Sequence, residues 1–189
     1  MAKKREGLEI FRVGIILFAI TAVAALILAY VNSVTLPIIL EQETSKMQEA
    51  MAEVLPEANT FEEVPIELSQ ESDLTKIYET NAGFVIFAAP KGYGGEISMA
   101  IGIDNEFKVA GISIISQTET AGLGAKCTEK AWQDQFIGKT ENISIVKGGA
   151  KDNQIDAISS ATITSTAVTN AVNEAISAAK ILGGDESEQ

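Results

Sequence analysis

The 189-residue sequence contains no histidine and a single cysteine. Without imidazole there is no Ser-His-Asp or Cys-His catalysis, no imidazole metal site and no His-ligated haem. One thiol cannot form an internal disulfide, a zinc ribbon or an iron–sulfur cluster. No metal site and no catalytic residue set can be drawn from what remains, so redox chemistry requires a borrowed organic cofactor. Basic residues are also short, 14 against 26 acidic ones. Lys3, Lys4, Arg5 and Arg12 outweigh Glu6 and Glu9 over residues 1–12, a net of +2. The rest carries 10 basic and 24 acidic side chains, a net of −14. An acidic body repels polyphosphate backbones, which argues against nucleic acid as a partner.

What is present begins with an apolar run. Val13 to Val31 is 19 residues without a charge, and the next charge is Glu41. A helix rises ~1.5 Å per residue, so about 20 apolar residues cross a ~30 Å hydrocarbon core. The apolar residues cover every face, as lipid requires, and Tyr30 stands at the far end where an aromatic belt is expected. The competing reading is a cleaved signal peptide, whose apolar core runs only ~7–15 residues. No small-x-small cleavage site precedes Asn32. The expectation is a single-pass anchor over residues 13–34 in the cytoplasmic (inner) membrane, in contact with the lipid bilayer. The basic flank 1–12 stays cytoplasmic and the acidic body lies on the extracytoplasmic side, by the positive-inside rule.

The body reads as α+β: a mainly antiparallel sheet packed with helices. Residues 35–76 form a helical and irregular connector, 77–184 a domain and 185–189 an acidic tail expected to fray. In the connector, Pro37 starts a helix that Pro56 ends, with Met47, Met51, Val54 and Leu55 at helical spacing. It either lifts the domain off the membrane or packs on it. Strand patterns cover 83–88, 96–103 and 107–115, the last two joined by an Asp104-Asn105 turn, with shorter ones at 143–146 and 155–158. Trp132 and Phe136 share a helical face. Ala167, Val168, Ala171, Val172, Ala175, Ile176 and Ala179 predict a final helix that Gly183-Gly184 stops.

Directly before that helix, six of the eleven residues 156–166 are Ser or Thr. One cap needs one hydroxyl and stabilises by ~1 kcal/mol. An anion at the helix start uses several hydroxyls together with the free amides and the dipole. Two glycine-rich loops accompany it, Gly92-Tyr93-Gly94-Gly95 and Glu119-Thr120-Ala121-Gly122-Leu123-Gly124. Either alone is ordinary turn chemistry.

Together these segments carry a resemblance. Asp156-Ala157-Ile158-Ser159-Ser160-Ala161-Thr162 resembles the D-x-x-S-G-A-T motif of the covalent FMN-binding domain family. Glu119 to Gly124 resembles its E-T-P-G-L-G loop, and Gly92 to Gly95 its G-Y-x-G turn. One span ahead of such a domain is similar to the G subunits of Rnf ion-translocating electron-transport complexes. It is also similar to the C subunits of sodium-translocating NADH:quinone reductases. The resemblance implies FMN joined through its phosphate to Thr162, with Ser159, Ser160, Ala161, Thr164 and Ser165 around the attachment. It places the ring near Glu119, Thr120, Gly122, Leu123, Gly124 and Lys126; Tyr93 and Trp132 either flank the ring or pack in the core. It implies a flavin transferase using FAD and magnesium, which Asp156 serves for recognition or merely as a turn residue. It further implies membrane partner subunits and electron passage between ferredoxin and NAD coupled to ion movement, this chain being a relay without a substrate pocket. The rivals are a cofactor-free anchored scaffold and a stand-alone extracytoplasmic flavoprotein.

Two positions depart from the family pattern. Ser160 stands where the motif has Gly, and Ala121 where the loop has Pro. If position 160 requires φ > 0, Ser costs ~1 kcal/mol or more there. Cys127, beside the second loop, receives no role and reads as a small buried apolar residue.

Overall fold

The computed structural model describes residues 2–65 and 72–184. Part of the acidic connector and the acidic tail 185–189 lie outside the described residues. The chain divides into two units, Met1–Ser45 and Lys46–Gln189. The first is part of a helix, α1 (Ala2–Val54). One 18-residue window of it has mean hydropathy 2.6 and none of that window is buried. Its hydroxyls bond back to their own helix: Thr21 Oγ1 donates to the Leu17 or Phe18 carbonyl, Ser33 Oγ to Tyr30, and Thr35 Oγ1 to Val31. A segment surrounded by hydrocarbon must satisfy its polar groups internally in this way.

Proline 37 does not begin a new helix, as its sequence position suggests; α1 continues through it. One proline removes one backbone bond, at ~3 kcal/mol. Ending the helix there exposes several amides and carbonyls among apolar neighbours, which costs more.

The second unit is built on a five-stranded antiparallel sheet in chain order: β1 (Phe61–Glu63), β2 (Leu74–Thr80), β3 (Gly83–Ala88), β4 (Ser98–Asp104) and β5 (Val109–Ser116). The β4–β5 connection is the hairpin expected at Asp104-Asn105; Asp104 Oδ1 accepts the Glu106 and Lys108 amides at 2.9 Å and fixes the turn. A parallel pair, β6 (Ser144–Val146) and β7 (Gln154–Asp156), stands apart. The end of α1, the short α2 (Lys130–Gln133) and α3 (Thr162–Gly184) complete the unit.

β3 shows why both sheet faces are covered. All six of its residues are buried, and alternate side chains go to different cores. Phe84, Ile86 and Ala88 join the α3 residues Val168, Ala171, Val172, Ala175, Ile176 and Ala179. Val85 and Phe87 join Ala50, Met51 and Val54 from the end of α1 and Leu55 just beyond it. The helical spacing at 47–55 is thus used to cover the sheet. Contact is so close that a Cβ on Gly102 would lie 2.2 Å from the Val54 carbonyl oxygen. Each fully buried aliphatic side chain contributes ~1.5–3 kcal/mol, and α3's alanines let the helix lie near the sheet. That seating brings the first turn of α3 to the loops leaving β3 and β5.

Candidate functional site

Three segments meet around one cleft of about 540 Å³, within the range of ligand pockets. The glycine turn contributes Tyr93; the loop after β5 contributes Glu119, Thr120, Leu123 and Gly124. The start of α3 contributes Ser160 through Thr164. Apolar surface is displayed on three sides: Tyr93 is 73% exposed, Ile163 56% and Leu123 41%.

Glu119 ties the segments together. Its side chain is buried; Oε1 accepts the Gly94 amide at 2.8 Å and Oε2 the Thr164 hydroxyl at 2.6 Å. The glycines are required by this carboxylate. A Cβ on Gly92 would lie 2.4 Å from Oε1, and one on Gly124 2.3 Å from Oε2. A free acid side chain in a turn is ordinary; one that three chain segments close upon is a keystone of the cleft.

Ser165 holds the loop that leads into α3. Its hydroxyl accepts the Ile158 amide and donates to the Ala161 carbonyl, both at 3.0 Å and buried. Between them the chain turns tightly: the Ala161 amide donates to the Ile158 carbonyl and Ser160 takes φ 61°. Position 160 therefore does need the left-handed conformation that glycine supplies without strain, and Ser160 bears that cost. Upstream, Asp156 is pinned at three points. Its amide donates to Gln135 Oε1, its carbonyl accepts the Trp132 indole N–H, and its Oδ1 accepts the Ala150 amide. Trp132 is buried under this segment, with its ring edge-on to Phe136 at 5.3 Å. It does not line the cleft.

The result is a presented hydroxyl. Thr162 is the first residue of α3 and is exposed on the cleft. The first helical bond to this turn runs from the Ser165 amide to the Ala161 carbonyl, so the amides of Thr162, Ile163 and Thr164 precede it. Those amides and the dipole of a 23-residue helix favour an anion at Thr162. The hydroxyl cluster splits into two groups. Thr164 and Ser165 are buried and bonded inward, while Ser159, Ser160, Thr162 and Thr166 are exposed.

Some residues singled out in the sequence stand back from the cleft. Ser159, Ser165, Asp156, Gly122 and Lys126 are not among its lining residues. Gly122 turns the loop at φ 77°, and Lys126 is exposed within a short 3-10 helix, Gly124–Thr128. Cys127, in the same turn, is fully buried; burial first, and the nearby Glu119 charge second, push its thiol up to about 11. Ile163 lines the cleft although nothing in the sequence singles it out, because an isoleucine at a helix start carries no signal beyond apolarity.

An anchor-length helix and an anion-favouring, aromatic-flanked cleft define the class: a membrane-associated protein with a nucleotide-type cofactor domain. Comparison with known proteins agrees. Residues 92–177 match the FMN-binding domain family and residues 1–54 the RnfG N-terminal region. The chain is 40% identical over 187 residues to the G subunit of the Na(+)-translocating ferredoxin:NAD(+) oxidoreductase complex of Acetobacterium woodii, covering 88% of this chain and 90% of that one. It is 30% identical over 179 residues to the G subunit of the proton-translocating ferredoxin:NAD(+) oxidoreductase complex of Clostridium ljungdahlii, covering 93% and 95%. A solved structure, that of the C subunit of the Na(+)-translocating NADH-quinone reductase of Parabacteroides distasonis, overlaps 57% of this chain and 61% of its own at 23% identity and TM-score 0.48. The chain belongs to the family of G subunits of ion-translocating oxidoreductase complexes of the Rnf type.

Proposed function

We propose that this chain is the electron-relaying flavoprotein subunit of an Rnf-type ferredoxin:NAD complex, carrying FMN as a phosphoester of Thr162. The observation that carries this reading is the exposed Thr162 hydroxyl at the first turn of α3, on a cleft that Tyr93, Leu123 and Ile163 also line with apolar surface. The residues fit the group: the helix-start amides donate to the oxygens of a phosphodiester, and Tyr93, Leu123 and Ile163 offer flat or flexible apolar surface to a ring. When bound, FMN supplies the one-electron chemistry that the side chains lack.

Each local feature has a role in that reading. Ser165 and the Ser160 turn hold the Thr162 hydroxyl outward, where a flavin transferase reaches it during maturation. The hydroxyl oxygen forms the new P–O bond to the FMN moiety of FAD, AMP leaves, and the proton passes to the transferase. Asp156, whose Oδ1 accepts the Ala150 amide, serves recognition by the transferase. Glu119 closes the cleft. The helix anchors the body to the membrane, with the acidic body on the extracytoplasmic face, where no cytosolic pool replaces a lost cofactor. The relatives bear names with different ions, sodium and protons, so kinship by itself assigns no ion here.

Intact mass of the full chain, produced with a flavin transferase, tests the reading. Wild type gains one FMN phosphoryl unit, and Thr162→Val does not. A flavin-fluorescent band from Thr162→Val on a denaturing gel refutes the attachment site. An unmodified wild-type mass favours a cofactor-free scaffold instead.

A further inference from the structure

We propose that Glu119, besides closing the cleft, lowers the reduction potential of the cofactor held there by keeping a fixed negative charge in the cleft wall. The inference rests on the FMN reading above and adds a determinant of its electron affinity. Three observations support it. Glu119 is buried yet lines the cleft. Among the described residues its two oxygens are met by neutral donors, the Gly94 amide and the Thr164 hydroxyl. Among the described residues no lysine or arginine forms an ion pair with it.

A purely structural tie does not need the charge. Glutamine has the same shape, and its carbonyl accepts the Gly94 amide while its NH2 donates to Thr164 Oγ1. What glutamate adds is a negative charge with no cationic side-chain partner among the described residues, in a wall where water does not screen it fully.

An electron entering the cleft from a reduced one-electron carrier leaves that carrier oxidised. Unless a proton follows, it adds one negative charge near Glu119. The fixed carboxylate raises the free energy of that reduced form and leaves the neutral oxidised form nearly untouched. At an effective dielectric of about 20 and a separation of about 10 Å, two unit charges shift an equilibrium by roughly tenfold. For a one-electron couple tenfold is about 59 mV.

The test uses the full chain matured with a flavin transferase, as wild type and Glu119→Gln, with flavin load read by intact mass and potential by spectroelectrochemical titration. The expected result is equal load and a first-electron potential shifted positive by about tenfold in the equilibrium. Equal potentials at equal load overturn the inference while leaving the FMN reading standing; wild type without flavin overturns both. Should Glu119→Gln carry no flavin, Thr164→Val replaces it. That variant keeps the charge but removes one donor, and its potential moves negative. An unmoved or positive potential overturns the inference, as does loss of flavin from both variants while wild type is loaded.

Discussion

Replacing Ser165 by alanine tests how the loop leading into α3 is held. The hydroxyl makes two buried bonds, accepting from the Ile158 amide and donating to the Ala161 carbonyl. The second loss is mild, because the Ala161 carbonyl still accepts the Ser165 amide at 3.0 Å. The first leaves a buried amide with no partner, a penalty of ~1–3 kcal/mol. Alanine leaves almost no cavity, so a total near ~2 kcal/mol is expected. For a unit of this size each kcal/mol moves the midpoint by about 3–4 °C, giving a drop of about 6–8 °C. Trp132 is the chain's one tryptophan and is buried in the second unit. Its fluorescence during heating in detergent therefore reports this unit without the anchor helix. Thr166→Ala, an exposed neighbour, is the control and should stay within about 0.5 kcal/mol of wild type. If FMN is joined at Thr162 as proposed, the Ser165→Ala chain should also acquire flavin more slowly although Thr162 is intact. A melting curve that overlays wild type refutes the staple.

Two further expectations concern other groups. Cys127 is buried and its thiol is pushed up to about 11. At mildly alkaline pH it should therefore resist a thiol reagent in the native chain and react fully after denaturation; rapid native labelling contradicts the packing around it. Glu53 is held below the usual carboxylate range, chiefly because the Ser113 hydroxyl donates to it at 2.6 Å and secondarily by Lys130 at 3.2 Å. Its folded value is depressed, so its stabilisation is present above the unfolded value and is lost as pH falls through the folded one. The group is half-exposed, so the effect stays under about 1 kcal/mol. Glu53→Gln should narrow the stability difference between neutral and acid pH by that much, and an unchanged difference counts against the contact.

Several features are readable from local pattern alone. The charge-free run from Val13 to Val31 needs nothing beyond length and composition to specify an apolar helix. The alanine-rich spacing after Thr162 specifies α3, and the Asp104-Asn105 pair specifies a hairpin, because helix faces and turns are decided by near neighbours. The hydroxyl-rich segment and both glycine loops stand out as unusual by residue type. The strands 83–88 and 98–104 are marked by their apolar runs, though not which faces they present.

Tertiary structure decided the rest, since it depends on residues far apart in the chain. Nothing in the local pattern indicates that Glu119 lies between Gly94 and Thr164, 25 and 45 residues away. Neither does it indicate that glycine is needed at 92 and 124 because a carboxylate fills the space a Cβ would take. The division of the hydroxyls into buried staples and exposed groups follows from how α3 is seated on the sheet, a matter of packing. Pro37 reads as a helix start by local rules, which weigh one lost backbone bond, while the continuous helix is set by all the polar groups that a break would uncover.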